Sequence, residues 1–287
     1  MIPVLRMLRP VQWSKNAVVL AGVIFSGEAD QPSQLARAFL AVVAFCAASS
    51  AMYILNDWHD RARDRLHPVK RQRPIASGAI GRRAAGATAT ALFALALTIS
   101  VGLSWSFTAC IVAYLALTTS YTYSLKNYAG IDVVAIASGF LLRAMGGALA
   151  VNVPMSPWLF LCTFLLALFL GFGKRRHELL LFNGAGGLHR DALSGYSRRQ
   201  LDWAVVLTAI ASVIAYSIYT LVTNSAATDN ALVLTVPFVA LAIGRYMVLV
   251  FRCGLGGAPE MLLLKDRPLK VSILAWGVAT LILLNLP

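Results

Sequence analysis

Apolar runs of roughly 20 residues follow one another along this chain with only short polar intervals. A helix needs about 20 mostly apolar residues to cross a bilayer core. Such runs lie near 11–27, 35–55, 84–104, 106–125, 130–150, 157–173, 203–223, 231–251 and 268–286. No intervening loop is long enough for a second domain, and no block repeats at a fixed period. The expected architecture is all-α: a polytopic membrane protein of nine transmembrane helices forming a single domain over 1–287. Only 13% of the residues are charged, against about 25% in soluble domains, which excludes a soluble enzyme, a disordered chain and a disulfide scaffold. Cys46, Cys110, Cys162 and Cys253 lie far apart in or beside apolar runs, without a CxxC, and are expected as buried thiols. The stretch from Met1 to Lys15 lacks the apolar core and cleavage site of a signal peptide.

The net charge of +13 therefore reports topology, and no nucleic-acid partner is expected. Under nine spans, all of the 25 Lys and Arg residues except Arg37 and Arg143 fall in or beside loops on one side. That asymmetry places the N-terminus in the cytoplasm and, with an odd number of spans, Pro287 outside. The carboxylates follow the cations. Asp57, Asp60, Asp64, Asp132, Glu178, Asp191, Asp202, Glu260 and Asp266 fall on the cytoplasmic side, leaving Glu28, Asp30 and Asp229 for the other. A positive-inside bias explains the first set and not the second, so chemistry is expected at the cytoplasmic mouth.

The second span runs into Asn56-Asp57-Trp58-His59-Asp60-Arg61-Ala62-Arg63-Asp64, an NDxxDxxxD arrangement. On a continuing helix the three aspartates, at i, i+3 and i+7, share one face. Carboxylates so placed repel one another unless a cation joins them. Hard oxygen ligands suit Mg2+, which takes one or two carboxylates plus substrate phosphates. The competing reading is a solvated helix end whose aspartates pair with Arg61, Arg63 and Arg65. Downstream, Pro68, Pro74 and Gly78 stop the helix, while Lys70, Arg71 and Arg73 supply donors suited to phosphate.

These segments resemble the UbiA-type intramembrane prenyltransferase superfamily. The likeness rests on the NDxxDxxxD stripe followed by Asp64-Arg65-Leu66-His67-Pro68-Val69-Lys70-Arg71-Gln72-Arg73-Pro74-Ile75-Ala76-Ser77-Gly78, and on the opening Arg9-Pro10-Val11-Gln12-Trp13-Ser14-Lys15-Asn16. Within it, Gly173-Lys174-Arg175-Arg176-His177-Glu178-Leu179, Gly256-Gly257-Ala258-Pro259-Glu260 and Lys265-Asp266-Arg267 resemble the decaprenyl-phosphate phosphoribosyltransferase branch. Tyr123-Ser124-Leu125-Lys126 matches the superfamily's Tyr/Lys element. One departure is informative. Members that ionise a prenyl diphosphate carry a second acidic motif, DxxxD, and the matching stretch here is Asp132-Val133-Val134-Ala135-Ile136, with Ile136 in place of the second carboxylate.

The resemblance implies an enzyme of a bacterial cytoplasmic membrane that moves 5-phosphoribose from phosphoribosyl diphosphate to a polyprenyl phosphate. Its product is a lipid-linked precursor for arabinosylation of a cell wall or of a secreted glycolipid such as a nodulation factor. It further implies Mg2+ on Asn56, Asp57, Asp60 and Asp64, and a catalytic set of Asp57, Asp60, Lys126 and Asp132. Phosphate contacts are expected from Lys15, Asn16, Lys70, Arg73, Tyr123, Arg143, Lys174, Arg175, Glu178 and Arg267. Breaking the C1–O bond of the donor builds negative charge on the leaving diphosphate, so a cationic cradle is the main requirement. An acceptor phosphate with a second pKa of about 6 is already an anion. No general base is demanded, in keeping with His59, His67, His177 and His189 forming no dyad; His59 and His189 are expected as surface or local hydrogen-bonding residues.

Arg143, deep in the fifth span, should face the bundle interior and an anionic partner. Asp132 is disfavoured, because the intervening helix rises about 16 Å. Two rival functions stand beside the first: prenyl transfer to an aromatic or isoprenoid acceptor, opposed by Ile136, and transport of a phosphorylated metabolite. Transport sites lie near the midplane, where this chain offers only Arg143. A homo-oligomer is compatible with the sequence, which does not specify one.

Overall fold

The computed structural model describes residues 3–25, 31–154, 156–182, 191–222 and 231–284. Glu28, Asp30, His189, Arg190 and Asp229 lie outside them. Every regular element among the described residues is helical: α1 (Pro3–Leu8), a 3-10 helix (Pro10–Leu20), α2 (Ala21–Phe25), α3 (Pro32–His59), α4 (Arg61–Leu66), α5 (Arg82–Leu103), α6 (Trp105–Tyr123), α7 (Ile131–Ala150), α8 (Pro157–Phe182), α9 (Asp191–Ser194), α10 (Arg198–Val222), α11 (Val236–Phe251), α12 (Pro259–Lys265) and α13 (Arg267–Leu284). A 3-10 turn, Ala231–Thr235, leads into α11.

Length and composition qualify seven segments to cross a membrane among the described residues: α3, α5, α7, α8, α10, 231–251 and α13. The other two expected spans look different. The run near 11–27 is divided into an 11-residue 3-10 helix and the short α2. Helix α6 has 19 residues, but Thr118, Thr119, Ser120 and Thr122 make its C-terminal turns polar. The exposed face of α10 carries Trp203, Leu207, Ile210, Ile214, Ile218 and Leu221. Residues recurring every three or four positions form one helical stripe, and an apolar stripe left bare suits contact with lipid.

The chain forms two compact units, 1–124 with 142–154 and 125–141 with 155–287. In the first, α3 packs on α5, α6 and the 3-10 helix. Ala41, Ala44, Ala47 and Ala48 let backbones approach, and Phe45 meets Phe107 and Tyr114 edge-on at 5.9 and 5.4 Å. A smaller core of Met7, Ile54, Ile75, Ile80 and Ala85 holds the loop after α4 against α3 and α5. Arg37, one of the two cations outside the charge pattern, donates to Ala150 O at 2.7 Å and Leu103 O at 3.0 Å, capping the C-terminal ends of α7 and α5. A cation there complements both helix dipoles.

In the second unit, α8 packs on α10 and α11 on α13, around Phe169, Val205, Ala209, Ile243, Tyr246 and Leu249. The expectation of four buried thiols fails at Cys253. Cys110 is buried, Cys46 and Cys162 are half-buried, and Cys253 is exposed, because α11 ends at Phe251 and the chain turns through Gly254 at φ 65°.

Candidate active site

Helix α3 continues to His59, so the apolar run carries Asn56 and Asp57 on its last turn. The path is almost unbroken into α4: the Asp60 N–H donates to Asn56 O (2.9 Å) and the Asp64 N–H to Asp60 O (2.8 Å). Asp57 and Asp64 are buried and Asp60 and Asn56 half-buried. Arg73 Nη1 lies 3.0 Å from Asp57 Oδ1 and 2.6 Å from Asp64 Oδ2, so two of the three aspartates share one face and one cationic nitrogen. The pairing expected of a solvated helix end is not what holds them. Arg61 lies over the Trp58 ring at 4.6 Å and Arg65 donates to Ala76 O at 3.0 Å; Asp57 pairs with Arg9 and Arg73, and Asp64 with Arg73.

Arg9 is a candidate site residue that sequence reasoning passed over. It pairs with Asp57 Oδ1 and lies 5.0 Å from the centre of the Tyr53 ring. Its φ and ψ of 54° and 58° are left-handed, a conformation that costs a non-glycine residue about 1–2 kcal/mol. The backbone turns there to bring the guanidinium onto Asp57. The only sequence signal was the Arg9-Pro10 opening, which marks the family without naming a partner.

The loop after α4 is organised by His67, whose Nδ1 accepts from the Val69 and Lys70 N–H groups at 3.2 and 3.3 Å. Burial, with Lys70 and Arg73 nearby, holds the imidazole below its ordinary value, Asp64 opposing. Lys70 is half-buried, in a 3-10 turn that closes on Arg73. Tyr123 is exposed at the end of α6, edge-on to the equally exposed His59 at 4.8 Å. Lys15 is half-buried, and Asn16 beside it is fully buried, with Oδ1 2.7 Å from Arg143 Nε. Arg143 Nη2 also lies 2.7 Å from the Tyr114 hydroxyl, so these two contacts are to neutral groups where an anionic partner was expected. Both Asn16 and Arg143 are thus spent on groups within the protein.

In the second unit the expected Lys174, Arg175 and Glu178 lie on α8, which runs on to Phe182 instead of ending before them. Arg175 is 1% exposed and holds Asp132, itself fully buried, at Nε–Oδ2 2.5 Å; it also pairs with Glu178. Tyr196, which no sequence signal marked, donates from its hydroxyl to Asp132 Oδ1 at 2.6 Å and accepts from the Gly130 N–H at 2.5 Å. Gly130 has φ 81°, the left-handed geometry that glycine adopts without strain. Burial and the bond to Asp132 push the Tyr196 phenol up, so it stays a donor. Beside it is a cavity of about 250 Å³ lined by Gly130, Phe172, Gly195, Tyr196, Leu201 and Ala204. Lys126 is buried in a 3-10 turn, Lys174 half-buried, and Arg267 exposed at the first turn of α13. Asp266 caps that helix by accepting from the Leu269 N–H at 2.9 Å, and its bond to Arg245 holds its carboxyl below the usual range.

Among the described residues, no three His, Cys, Asp or Glu side chains gather as a ready metal site. The donor chemistry on the aspartate stripe nonetheless fits a divalent cation. Two buried carboxylate oxygens already converge on one positive centre, Arg73 Nη1, and such hard oxygens are what Mg2+ takes beside substrate phosphates.

Residues 17–175 match the UbiA prenyltransferase family. Over 285 residues the chain is 36% identical to decaprenyl-phosphate phosphoribosyltransferase of Mycolicibacterium smegmatis, covering 95% of this chain and 89% of that protein. It is 37% identical over 283 residues to the protein of the same name from Corynebacterium glutamicum, covering 95% and 83%. A UbiA homologue from Archaeoglobus fulgidus, solved bound to DMAPP and Mg2+, superposes with a TM-score of 0.75 over 99% of each chain at 18% identity, a likeness of fold. With the helical fold, the membrane-spanning segments and the aspartate stripe at the end of α3, this chain belongs to the UbiA prenyltransferase family and is an enzyme.

Proposed function

We propose that this enzyme transfers 5-phosphoribose from phosphoribosyl diphosphate to a polyprenyl phosphate, releasing diphosphate and leaving a lipid-linked phosphoribose as an arabinose-donor precursor. The observation that carries this reading is similarity along 95% of the chain to proteins named for that transfer. The second unit supports it against prenyl transfer from a prenyl diphosphate. Asp132 is fully buried on Arg175 and Tyr196, and Ile136 stands where a second carboxylate would be.

The reaction separates charge at C1–O, so the enzyme must neutralise the departing diphosphate. Asn56, Asp57, Asp60 and Asp64 would hold Mg2+, which supplies positive charge to that leaving group. Arg73 and Arg9, already at Asp57, are placed to contact phosphate oxygens, with Arg suited to two-point contacts. Lys15 is assigned to the acceptor phosphate, and Lys70, Lys126, Lys174 and Arg267 to further phosphate contacts. Nine membrane crossings with a cytoplasmic N-terminus complete the reading, which puts the aspartate stripe on the side where a soluble sugar diphosphate is available.

The test is a radiolabel transfer assay on purified protein with Mg2+. One tube receives phosphoribosyl diphosphate and a polyprenyl phosphate, the other a prenyl diphosphate and an aromatic acid. Label entering lipid in the first tube alone supports the proposal, and product in the second alone overturns it. Activity undiminished in Asp57→Ala would sink the metal assignment.

A further inference from the structure

Arg143 is 6% exposed in the last part of α7, with its Cζ 4.8 Å from the centre of the Tyr114 ring and its donors on Tyr114 and Asn16. Asn16 in turn donates from Nδ2 to Cys46 Sγ at 3.1 Å and to Ser49 Oγ at 3.5 Å, both on α3. One turn earlier, the Trp13 indole donates to Ser50 Oγ at 3.0 Å, and that hydroxyl donates to Leu8 O at 2.9 Å. On the α7 side, a Cβ on Gly147 would overlap the Val19 carbonyl, and one on Gly22 would lie 2.5 Å from Ala148 N. The segment Pro10–Leu20 is therefore gripped between α3 and the end of α7. It needs the grip: 3-10 geometry rarely persists beyond three or four residues, and this helix has 11.

We propose that Arg143 is a positioning residue. By clamping Asn16 it fixes the 3-10 segment in register, and so presents Lys15 beside it, and Arg9 at its head, in preset places. An amide oxygen, a phenol oxygen and an aromatic face receive the buried guanidinium there. Holding a binding segment in its bound conformation before the ligand arrives removes an ordering cost from binding. The kinetic consequence rests on the assignment of Lys15 to the acceptor phosphate, and the conformational one does not.

The experiment is backbone hydrogen exchange across residues 10–20 of the full chain in lipid nanodiscs, alongside KM and kcat for phosphoribosyl diphosphate and polyprenyl phosphate. In Arg143→Met, exchange should rise about tenfold or more as the segment opens locally, and KM for the lipid phosphate should rise with kcat changed far less. Asn16→Asp keeps an acceptor for the guanidinium and should keep the protection, whereas Asn16→Leu should lose it. Raised KM with unchanged exchange in Arg143→Met would make Arg143 a direct ligand and overturn the proposal. Raised exchange with both KM values unchanged would make it a structural bolt and overturn it equally. If Arg143→Met does not fold, Asn16→Leu takes its place, and the same pairs of outcomes support or overturn the proposal. Absence of any phosphoribosyl transfer by the wild type would refute the assigned reaction, and the lipid-phosphate dissociation constant would then replace KM beside the exchange data.

Discussion

Asp57 is 3% exposed and meets two guanidinium groups, while Asp64 shares one of them. Removing one partner of a buried pair leaves an uncompensated charge, commonly at a cost of about 3–5 kcal/mol; Arg73 is 27% exposed on its side chain, so solvent screening lowers that figure here. Arg73→Met should also cut turnover on the order of tenfold or more if Arg73 makes the proposed phosphate contact. It should also leave the aspartates open to a divalent cation, so that Mg2+ raises the melting temperature at lower concentration than in the wild type. Unchanged Mg2+ dependence of melting would separate Arg73 from the metal assignment. His67 gives a pH dependence of definite sign. Its imidazole is held below the ordinary value of about 6.5, and its Nδ1 must stay unprotonated to accept from Val69 and Lys70. The loop's stability is thus present above that ordinary value and lost as pH falls through the lower folded one. Activity should fall on the acid side of neutrality with this transition. His67→Asn, whose amide oxygen can take the place of Nδ1, should flatten that acid limb in a pH–rate profile.

At the scale of elements, the apolar runs announced most helices to within a few residues and fell well short of the end of α8. Apolarity fades before a helix does: α3 and α8 both continue past the hydrophobic stretch, because backbone hydrogen bonding does not require an apolar side chain. That extension puts Asp57 and Arg175 on rigid helices. The 3-10 form of Pro10–Leu20 was not legible, since it depends on the contacts of Trp13 with Ser50 and of Asn16 with Arg143, which join distant parts of the first unit. Its fit is tight enough to predict. Gly147→Ala should cost about 1–3 kcal/mol by overpacking against Val19, read as a lowered melting temperature. Gly86, on α5, has open space for 4 Å around the position a Cβ would take, so Gly86→Ala should be neutral or stabilising by up to about 1 kcal/mol. Equal losses in both would mean that helix α7 does not approach the 3-10 segment as closely as described.

For the whole molecule, the family, the membrane class and the acidic stripe could be read from residue order, because each is written in local spacing. The commitments of the charges could not. Asp132 to Arg175, Asp57 to Arg9 and Arg143 to Asn16 are pairings across dozens of residues, and sequence spacing carries no information about which cation reaches which carboxylate. The same limit applies to orientation, which rests on charge asymmetry alone. Arg37 and Arg143, the two cations outside the pattern, both prove to be internal fasteners, so neither weakens the asymmetry as a topological signal. Cys253 offers the check without engineering. It is exposed in the turn after α11, beside Arg252 and ahead of Lys265 and Arg267, whereas Cys110 is buried. If that turn is cytoplasmic, a membrane-impermeant maleimide should label the protein in inside-out vesicles and leave it unlabelled in right-side-out ones. The label should map to Cys253 by peptide mass. The reverse pattern would put the basic loops outside, and the proposed supply of a soluble sugar diphosphate from the cytoplasm would fall with it.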